Sequence, residues 1–184
     1  MQKLNAGCGR YPKHGYLNVD LRRDSGADVL CDLSAGSWPF KDEQFALVEC
    51  DHVLEHLPDP LVAMREVHRI LERGGRAVIR VPHFTRGFTH WDHRRGFDVT
   101  LPLFFDPSFE EGYTGIELRH VSTRLTWFAQ RYFKKNSLSP ASYYTGLVLG
   151  AIFDALGNLN HYFTSRLLCF WVGGYDEVEF VFEK

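Results

Sequence analysis

Two glycines close to the N-terminus are the first residues whose type and spacing indicate chemistry. The apolar segment Leu4-Asn5-Ala6 ends in Gly7-Cys8-Gly9, as a buried strand does where its backbone turns tightly beside a ligand. A second apolar segment, residues 16–20, ends in the carboxylate of Asp20. A carboxylate at the tip of the second strand, beside a glycine turn at the tip of the first, can accept both hydroxyls of a ribose. The pair predicts a nucleoside-binding site.

The motif His-Val-Leu-Glu-His at residues 52–56 is the second such feature. If a helix follows the fourth strand, His52, Glu55 and His56 share one of its faces, because positions i, i+3 and i+4 are neighbours. His83 and His93 follow the next strand and are expected to reach the same place. An unperturbed imidazole titrates near neutrality. We therefore predict that His52 lines the reaction site and that His83 or His93 is the general base; the alternative is that Glu55 and His56 tie the helix to the sheet.

The apolar pattern predicts the elements that position these residues. Short, nearly continuous apolar runs are typical of strands covered on both faces of a parallel sheet, and they occur at residues 3–5, 16–21, 28–33, 45–50 and 76–81. Residues 59–73 are predicted to form a helix that begins at Asp59-Pro60 and ends at Gly74-Gly75. The connections at residues 10–15 and 22–27 are too short for crossover helices, so one face of the sheet should be thinly covered. This alternation predicts an α/β fold.

Length and composition place the chain in a broad class. With 184 residues and 45% hydrophobic content, a single domain over residues 1–184 is expected. The net charge of −2 does not indicate a nucleic-acid partner. The four cysteines are scattered without a C-x-x-C pair, which favours buried free thiols over disulfides or a zinc site. Residues 1–20 contain no apolar stretch of signal-peptide length, so a cytoplasmic location is expected.

Five motifs in order resemble those of class I S-adenosylmethionine-dependent methyltransferases. They are residues 4–9, 18–20 and 31–33, the motif of the type 11 group after strand four at residues 51–57, and its helix-and-turn motif at residues 66–75. The resemblance covers residues 2–83, and the short crossovers are similar to those of a small bacterial and archaeal subgroup often linked to cell-surface sugar or lipid pathways. It implies a Rossmann-like sheet, mostly parallel with an antiparallel C-terminal strand. It also implies S-adenosylmethionine as the cofactor and methyl transfer as the reaction.

The resemblance carries cofactor contacts to individual positions. The backbone of residues 6–8 would face the methionine part, and Asp20 would bind the ribose. Leu21 and Leu33 would cover the adenine, and Asp32 would accept from its amine. The complete predicted cofactor-binding set is Asn5, Ala6, Gly7, Cys8, Gly9, Asp20, Leu21, Asp32, Leu33, Asp51 and His52, the last two beside the sulfonium.

The resemblance also bears on the histidine motif. His-x-x-Glu-His is the inverted zinc-protease motif, but here it lies inside the fourth methyltransferase motif, which argues against hydrolase chemistry. Some similar methyltransferases place a divalent metal on acidic and histidine residues at this point. A metal site on His52, Glu55 and His56 is therefore left open by the sequence.

Two other functions compete with methyl transfer. A nicotinamide dehydrogenase is disfavoured because the third glycine of Gly-x-Gly-x-x-Gly would fall at Pro12, and because Asp20 lies only thirteen residues after Gly7. A non-catalytic cofactor-binding or assembly subunit is favoured if the loop histidines prove uninvolved. The predicted acceptor is a hydroxyl or amine of a small-molecule, saccharide or lipid-like compound.

Residues 84–184 are predicted to supply the substrate loop and the end of the sheet. Residues 83–97 are rich in histidine, arginine and aromatic residues, and they begin at the sheet edge where ligands bind in open α/β folds. A lid or binding loop is predicted there; the alternative is a loop whose aromatic side chains pack over the sheet. Arg86, Arg94 and Arg95 would suit an anionic substrate or remain solvated. Residues 121–128 and 177–182 are predicted to be the last two strands.

An apolar insertion over residues 143–171 lies between those strands. Polar side chains interrupt it, so a membrane span is disfavoured. We predict that the insertion is helical and that it covers the exposed sheet face or forms a homodimer surface. A hydrophobic wall for a lipid-like or aromatic substrate is the alternative.

Overall fold

A seven-stranded sheet forms the centre of the computed structural model, which describes residues 2–184. Its strands are β1 (Gln2–Ala6), β2 (Leu17–Asp20), β3 (Val29–Leu30), β4 (Phe45–Asp51), β5 (Leu71–Pro82), β6 (Arg119–Thr126) and β7 (Glu177–Glu183). The order across the sheet is β3-β2-β1-β4-β5-β7-β6. Strands β1 to β5 are parallel, and β7 runs antiparallel to both β5 and β6. The predicted mostly parallel sheet with an antiparallel C-terminal strand is confirmed.

The main helix, α1 (Pro60–Ile70), begins as predicted but ends early. The Asp59 side chain accepts a hydrogen bond from the amide of Leu61 at 2.9 Å, and proline occupies the first turn. The helix ends at Ile70 because Leu71 is already extended and pairs with Phe45 of β4. Gly74-Gly75 therefore lies inside β5, and the prediction that these glycines end the helix is wrong. The amide of Gly74 donates a hydrogen bond to the carbonyl oxygen of Lys184 instead.

The remaining helices lie in the second half. They are α2 (Phe84–Gly87), a 3₁₀ turn (Leu101–Phe105), α3 (Arg131–Ser137) and α4 (Pro140–Gly157), followed by α5 (His161–Phe163), a π-helical turn (Thr164–Leu168) and α6 (Cys169–Trp171). None of the helices within residues 2–184 is both long and apolar enough to cross a membrane.

The two faces of the sheet are covered very differently. Met64, Val67 and Ile70 of α1 join the core on one face. Neither of the first two connections within residues 2–30 forms a helix, as predicted from their length. The face opposite α1 is therefore thinly covered. On that face, Glu49 and Arg80 belong to a network of ion pairs between neighbouring strands. Charged pairs, rather than a helix, cover this part of the sheet.

Helix α4 protects the edge strand β6, and it does so with small and polar residues. Asn158 accepts from the amide of Leu125 and donates to its carbonyl, both at 2.8 Å, and Asp154 accepts from the amide of Trp127 at 2.6 Å. These contacts satisfy backbone groups of Leu125 and Trp127 at the edge of the sheet, which could otherwise pair with a strand of another molecule. The predicted apolar cover of a sheet face is wrong in this detail, because the large apolar side chains of α4 point outward.

Candidate cofactor cleft and histidine cluster

The glycine turn after β1 is held against the end of β2. The amides of Gly7 and Cys8 both donate to the carbonyl of Val19, at 2.8 and 2.9 Å. Gly7 has φ +75°, and a Cβ there would overlap the side chain of Val53. Gly9 has φ +53°, and a Cβ there would meet nothing within 4 Å. The turn therefore needs glycine at position 7 and leaves open space beside position 9.

Asp20 lies at the tip of β2 beside this turn. One carboxylate oxygen accepts from the amide of Gly9 at 2.8 Å, and the other accepts from the amide of Arg22 at 2.9 Å. A carboxylate has about four lone-pair positions, so roughly two remain for a ligand. The side chain is only 9% exposed. Asp20 is therefore fixed in place and still able to accept two hydroxyl groups.

A cleft of about 490 Å³ opens at these strand ends. Leu21, 65% exposed, and buried Leu33 give it apolar walls. Its complete lining is Gly7, Gly9, Asp20, Leu21, Arg22, Asp32, Leu33, His52, Val53, His56, Leu57 and Asp92. The structure thus brings seven of the predicted cofactor residues together: Gly7, Gly9, Asp20, Leu21, Asp32, Leu33 and His52. A glycine turn, a carboxylate and apolar walls suit the ribose and adenine of S-adenosylmethionine.

Four residues of the predicted set lie outside this lining. The buried side chain of Asn5 donates to Asn18 at 2.9 Å and thereby braces β1 against β2. Ala6 and Cys8 are buried in the core. Because the Cys8 amide already donates to Val19, it has no hydrogen to offer a ligand in this conformation. These positions shape the turn rather than line the cleft.

Asp51 is the clearest departure from the prediction. Its side chain accepts from Lys13 at 2.8 Å and from Arg80 at 2.7 Å. Burial would raise the pKa of Asp51, but the hydrogen bond from Lys13 and the charge of Arg80 outweigh it and keep the pKa below its usual value. Asp51 belongs to the ion-pair network on the thinly covered face of the sheet.

His52 lines the cleft in an unexpected conformation. It has φ +54°, so no helix follows β4, and residues 53–57 form a turn. Its Nδ1 lies 3.1 Å from Glu55 Oε1 and its Nε2 lies 2.8 Å from Glu177 Oε2. Burial alone would lower the pKa of His52, but hydrogen bonds to Glu177 and Glu55 raise it to about 9. The ring is therefore an imidazolium at neutral pH.

His83 is not in the cleft, contrary to the prediction. It is 0% exposed, and its two ring nitrogens lie 2.7 Å from the Thr85 hydroxyl and 3.0 Å from the Ser165 hydroxyl. Burial lowers its pKa to about 4, with a small opposing effect from Asp98. A ring that is neutral, enclosed and hydrogen-bonded on both nitrogens joins the loop to the C-terminal helical segment and cannot reach an acceptor.

His93 does reach the region of the cleft, through a cluster with His56, His90, Glu55 and Asp92. The rings of His56 and His93 have centroids 4.8 Å apart, and His90 stacks on His93 at 4.9 Å. His56 Nδ1 lies 3.2 Å from Asp92 Oδ2. His93 Nε2 lies 4.0 Å from Glu55 Oε1, while its Nδ1 lies 2.6 Å from the carbonyl oxygen of Gly87. We call these five residues the histidine cluster.

Three features of the site were not predicted from the sequence. Asp92 joins the cluster although only its neighbourhood was singled out, and Glu177 pairs with His52 from the far end of the chain. No local pattern indicates Glu177, because β7 brings it there. Arg86 is ion-paired with Asp176 and lies over the ring of Trp127. Arg86 therefore anchors the loop through these contacts and is not free to bind an anionic substrate in this conformation.

Comparison with known proteins agrees with this architecture. Residues 13–79 match the family model of a methyltransferase domain. No curated protein sequence compared with the chain matches it significantly. The fold is similar to a SAM-dependent methyltransferase from Archaeoglobus fulgidus, with 17% identity, TM-score 0.61, and 100% and 86% of the two chains covered. It is also similar to a protein from Bacillus halodurans provisionally named a methyltransferase, with 14% identity, TM-score 0.56, and 100% and 92% covered.

A third similar structure is named for a different reaction. The [4+2]-cyclase SpnF shares 14% identity with the chain at TM-score 0.56, with 100% of this chain and 75% of that one covered. The sheet order and the strand-end cleft are those of a Rossmann-like fold. Residues 13–79 match a methyltransferase domain, and the fold of the whole chain is similar to that of S-adenosylmethionine-dependent methyltransferases.

Proposed function

We propose that this enzyme transfers a methyl group from S-adenosylmethionine to a hydroxyl or amine of a small-molecule, saccharide or lipid-like acceptor, and that it does so at the cleft beside Asp20. One observation supports this location above all others: the predicted nucleoside-binding residues and the histidine cluster meet at one cleft, because His56 and Asp92 belong to both. Cofactor binding and acceptor activation would then occur side by side.

The cofactor side of the proposal uses residues 2–83. Asp20 would accept the ribose hydroxyls with its two remaining lone-pair positions. Exposed Leu21 and buried Leu33 would enclose the adenine. The carboxylate of Asp32, which accepts from the amide and hydroxyl of Ser34, would accept from the adenine amine. Residues 84–184 would form the acceptor side within the same domain.

The acceptor side of the proposal rests on protonation states. Bound S-adenosylmethionine supplies a methyl group that a lone pair can attack directly. The acceptor must lose a proton in the process. His52 is already protonated at neutral pH and cannot take it. His93 is the predicted base that stays in contact with the cluster, and its contact with the Gly87 carbonyl leaves the lone pair of Nε2 free.

Titration calorimetry with S-adenosylmethionine, S-adenosylhomocysteine and NAD⁺ tests the cofactor assignment. We expect one molecule of either sulfur compound to bind, and Asp20→Ala to weaken binding by about 1.5–3 kcal/mol, the range for hydrogen bonds to a charged group. Asp24→Ala is the matched control, because Asp24 is exposed in the same loop and lies outside the cleft. Absence of binding to the wild type, or preference for NAD⁺, would refute the location.

The acceptor requires a separate experiment. Incubation with methyl-labelled S-adenosylmethionine and host extract, followed by identification of the labelled product, gives its chemical class. We expect His93→Ala to keep cofactor affinity and to lower turnover by roughly 10²–10⁴-fold. Equal turnover in His93→Ala and the wild type would show that this ring takes no part in the reaction.

A further inference from the structure

Two open cavities lie beside the edge strand β6, and they share part of their walls. One, of about 370 Å³, lies over β5, β7 and the end of β6. The other, of about 670 Å³, lies between β6 and helix α4. Arg124, Arg131 and Glu179 line both of them. We call the two cavities together the β6 groove.

The register of the sheet explains why Arg124 has no carboxylate partner. Glu179 of β7 lies directly opposite Arg80 of β5 and directly opposite Arg124 of β6, so the three side chains share one face. Arg80 takes the carboxylate, with its Nε 2.6 Å from Glu179 Oε2. Among residues 2–184, Arg124 has no carboxylate oxygen within 4.0 Å of its guanidinium. Of the two arginines that flank Glu179, one is therefore left without an ion pair.

Arg131, at the start of α3, is in the same state. It is exposed, and no carboxylate oxygen of the described chain lies within 4.0 Å of its guanidinium. The remaining carboxylates of the groove are engaged, because Glu177 contacts His52 at 2.8 Å and Asp154 accepts from the amide of Trp127 at 2.6 Å. A guanidinium has five N–H donors. A ligand that satisfies the two arginines must therefore supply hydrogen-bond acceptors and negative charge.

The β6 groove meets the cofactor cleft at the pair formed by His52 and Glu177. His52 lines the cleft and Glu177 lines the groove, with Nε2 and Oε2 2.8 Å apart. Glu177 lies opposite Thr126, which is two residues from Arg124 along β6. Two residues of a strand span about 7 Å. A small acceptor held at Arg124 can therefore extend along the sheet towards the cleft.

Helix α3 connects the groove to the loop after the glycine turn. The rings of Tyr132 and Phe133 contact the ring of Tyr11 edge to face, with centroids 6.0 and 5.8 Å apart. The amide of Tyr11 donates to the carbonyl of Cys8 at 2.9 Å. Arg131 precedes these aromatic residues, so contacts with the cofactor side of the molecule set its position.

The sequence indicated a different place for an anion, in the loop after β5. There Arg86 is ion-paired, and Arg95 donates to the carbonyl of Pro58 at 2.7 Å. Arg94 is exposed and lies outside the lining of both the cleft and the groove. The β6 groove instead presents two arginines around one cavity next to the cleft.

We propose that Arg124 and Arg131 bind the phosphate group of a phosphorylated acceptor in the β6 groove. Two guanidinium groups match the charge of a phosphate monoester, whose three free oxygens can accept from both of them. A monocarboxylate offers one charge and two oxygens, and so matches them less well. The phosphate is unchanged in the reaction and serves to hold the acceptor. The anion site stands by itself, whereas the class of acceptor rests on the proposed function.

Calorimetric titration with inorganic phosphate tests the site in the full-length protein. At pH 8 and constant ionic strength this probe carries about two charges. We expect one saturable site, and Arg124→Gln and Arg131→Gln each to weaken binding by about tenfold or more. Arg124→Lys should be intermediate, because it keeps the charge and loses the planar fork. Arg119→Gln is the matched control, since Arg119 lies on the same strand, pairs with Glu183 and lines neither cavity of the groove.

A parallel titration with malonate distinguishes a phosphate site from a dicarboxylate site. We expect malonate to bind more weakly than phosphate, and tighter binding of malonate would overturn the assignment to phosphate. Absence of saturable phosphate binding to the wild type would overturn the site. Equal phosphate affinity in the wild type, Arg124→Gln and Arg131→Gln would overturn it as well, since the anion would then bind elsewhere.

The methyl-labelled product supplies a second readout. We expect phosphatase to remove a phosphate group from it, and a labelled product without phosphate would overturn the acceptor class. With that acceptor, Arg124→Gln should raise KM by about tenfold or more and change kcat by less than about twofold, because the phosphate is held equally in the ground state and the transition state.

S-adenosylmethionine affinity in the same variants separates this inference from the proposed function. It should be equal in the wild type, Arg124→Gln and Arg131→Gln. Cofactor binding without arginine-dependent phosphate binding would remove the anion site and keep the proposed function. Arginine-dependent phosphate binding without cofactor binding would keep the anion site and count against the proposed function.

Discussion

Replacing Gly7 by alanine should damage the fold and the cleft together. Gly7 has φ +75°, and a Cβ there would overlap the side chain of Val53. The left-handed conformation costs alanine about 1–2 kcal/mol, and overpacking a fixed neighbour costs about 1–3 kcal/mol. We therefore expect Gly7→Ala to lower the free energy of unfolding by about 2–5 kcal/mol. Because Val53 lines the cleft, its displacement should also weaken S-adenosylmethionine binding.

Three other variants separate the two costs. Gly15 has φ +79° with nothing within 4 Å of its Cβ position, so Gly15→Ala should show the conformational cost alone. Gly36 has open space and no positive φ, so Gly36→Ala should be close to neutral. Val53→Ala in the Gly7→Ala background should recover the packing cost and leave the conformational one. Denaturant unfolding measures all four. Equal losses for Gly7→Ala and Gly15→Ala would refute the packing argument.

Three further predictions concern ionisation and the sheet edge. The pKa of His52 is raised to about 9 in the folded protein, from about 6.5. Protonated His52 should therefore contribute up to about 3 kcal/mol to the free energy of unfolding, a contribution that is complete below pH 6.5 and lost as pH rises through 9. Denaturant unfolding of His52→Asn should not show this loss. The pKa of His83 is lowered to about 4. Its ring signals in NMR should stay those of a neutral imidazole down to about pH 4, with stability falling as pH drops from 6.5 towards 4; titration near 6.5 would contradict its burial. Asn158→Ala removes two hydrogen bonds to Leu125 and should cost about 1–3 kcal/mol in thermal unfolding, against almost nothing for the exposed control Asn136→Ala.

Local sequence patterns predicted the elements whose causes are local. The start of α1 follows from Asp59-Pro60, since the cap and the proline act within one turn. The turn at Gly7 follows from its positive φ, which glycine adopts most easily. The end of α1 was misplaced because strand pairing of Leu71 with Phe45 outweighs the helix-ending tendency of the glycines. The helix predicted after β4 is absent for a similar reason: His52 has φ +54°, and its ring is held between nearby Glu55 and Glu177, which lies 125 residues away in the sequence.

The sequence by itself determined the class of fold and most of the cleft, because parallel strands end at one edge and carry Gly7, Asp20 and Asp32 there in register. Only the tertiary structure decided how the histidines are used. The sequence suggested that His52, His83 and His93 all reach the cleft, but His83 is buried away from it, and hydrogen bonds to Glu177 and Glu55 raise the pKa of His52. A pKa depends on charges and burial contributed by residues far away in sequence, and such contacts exist only once the sheet has formed.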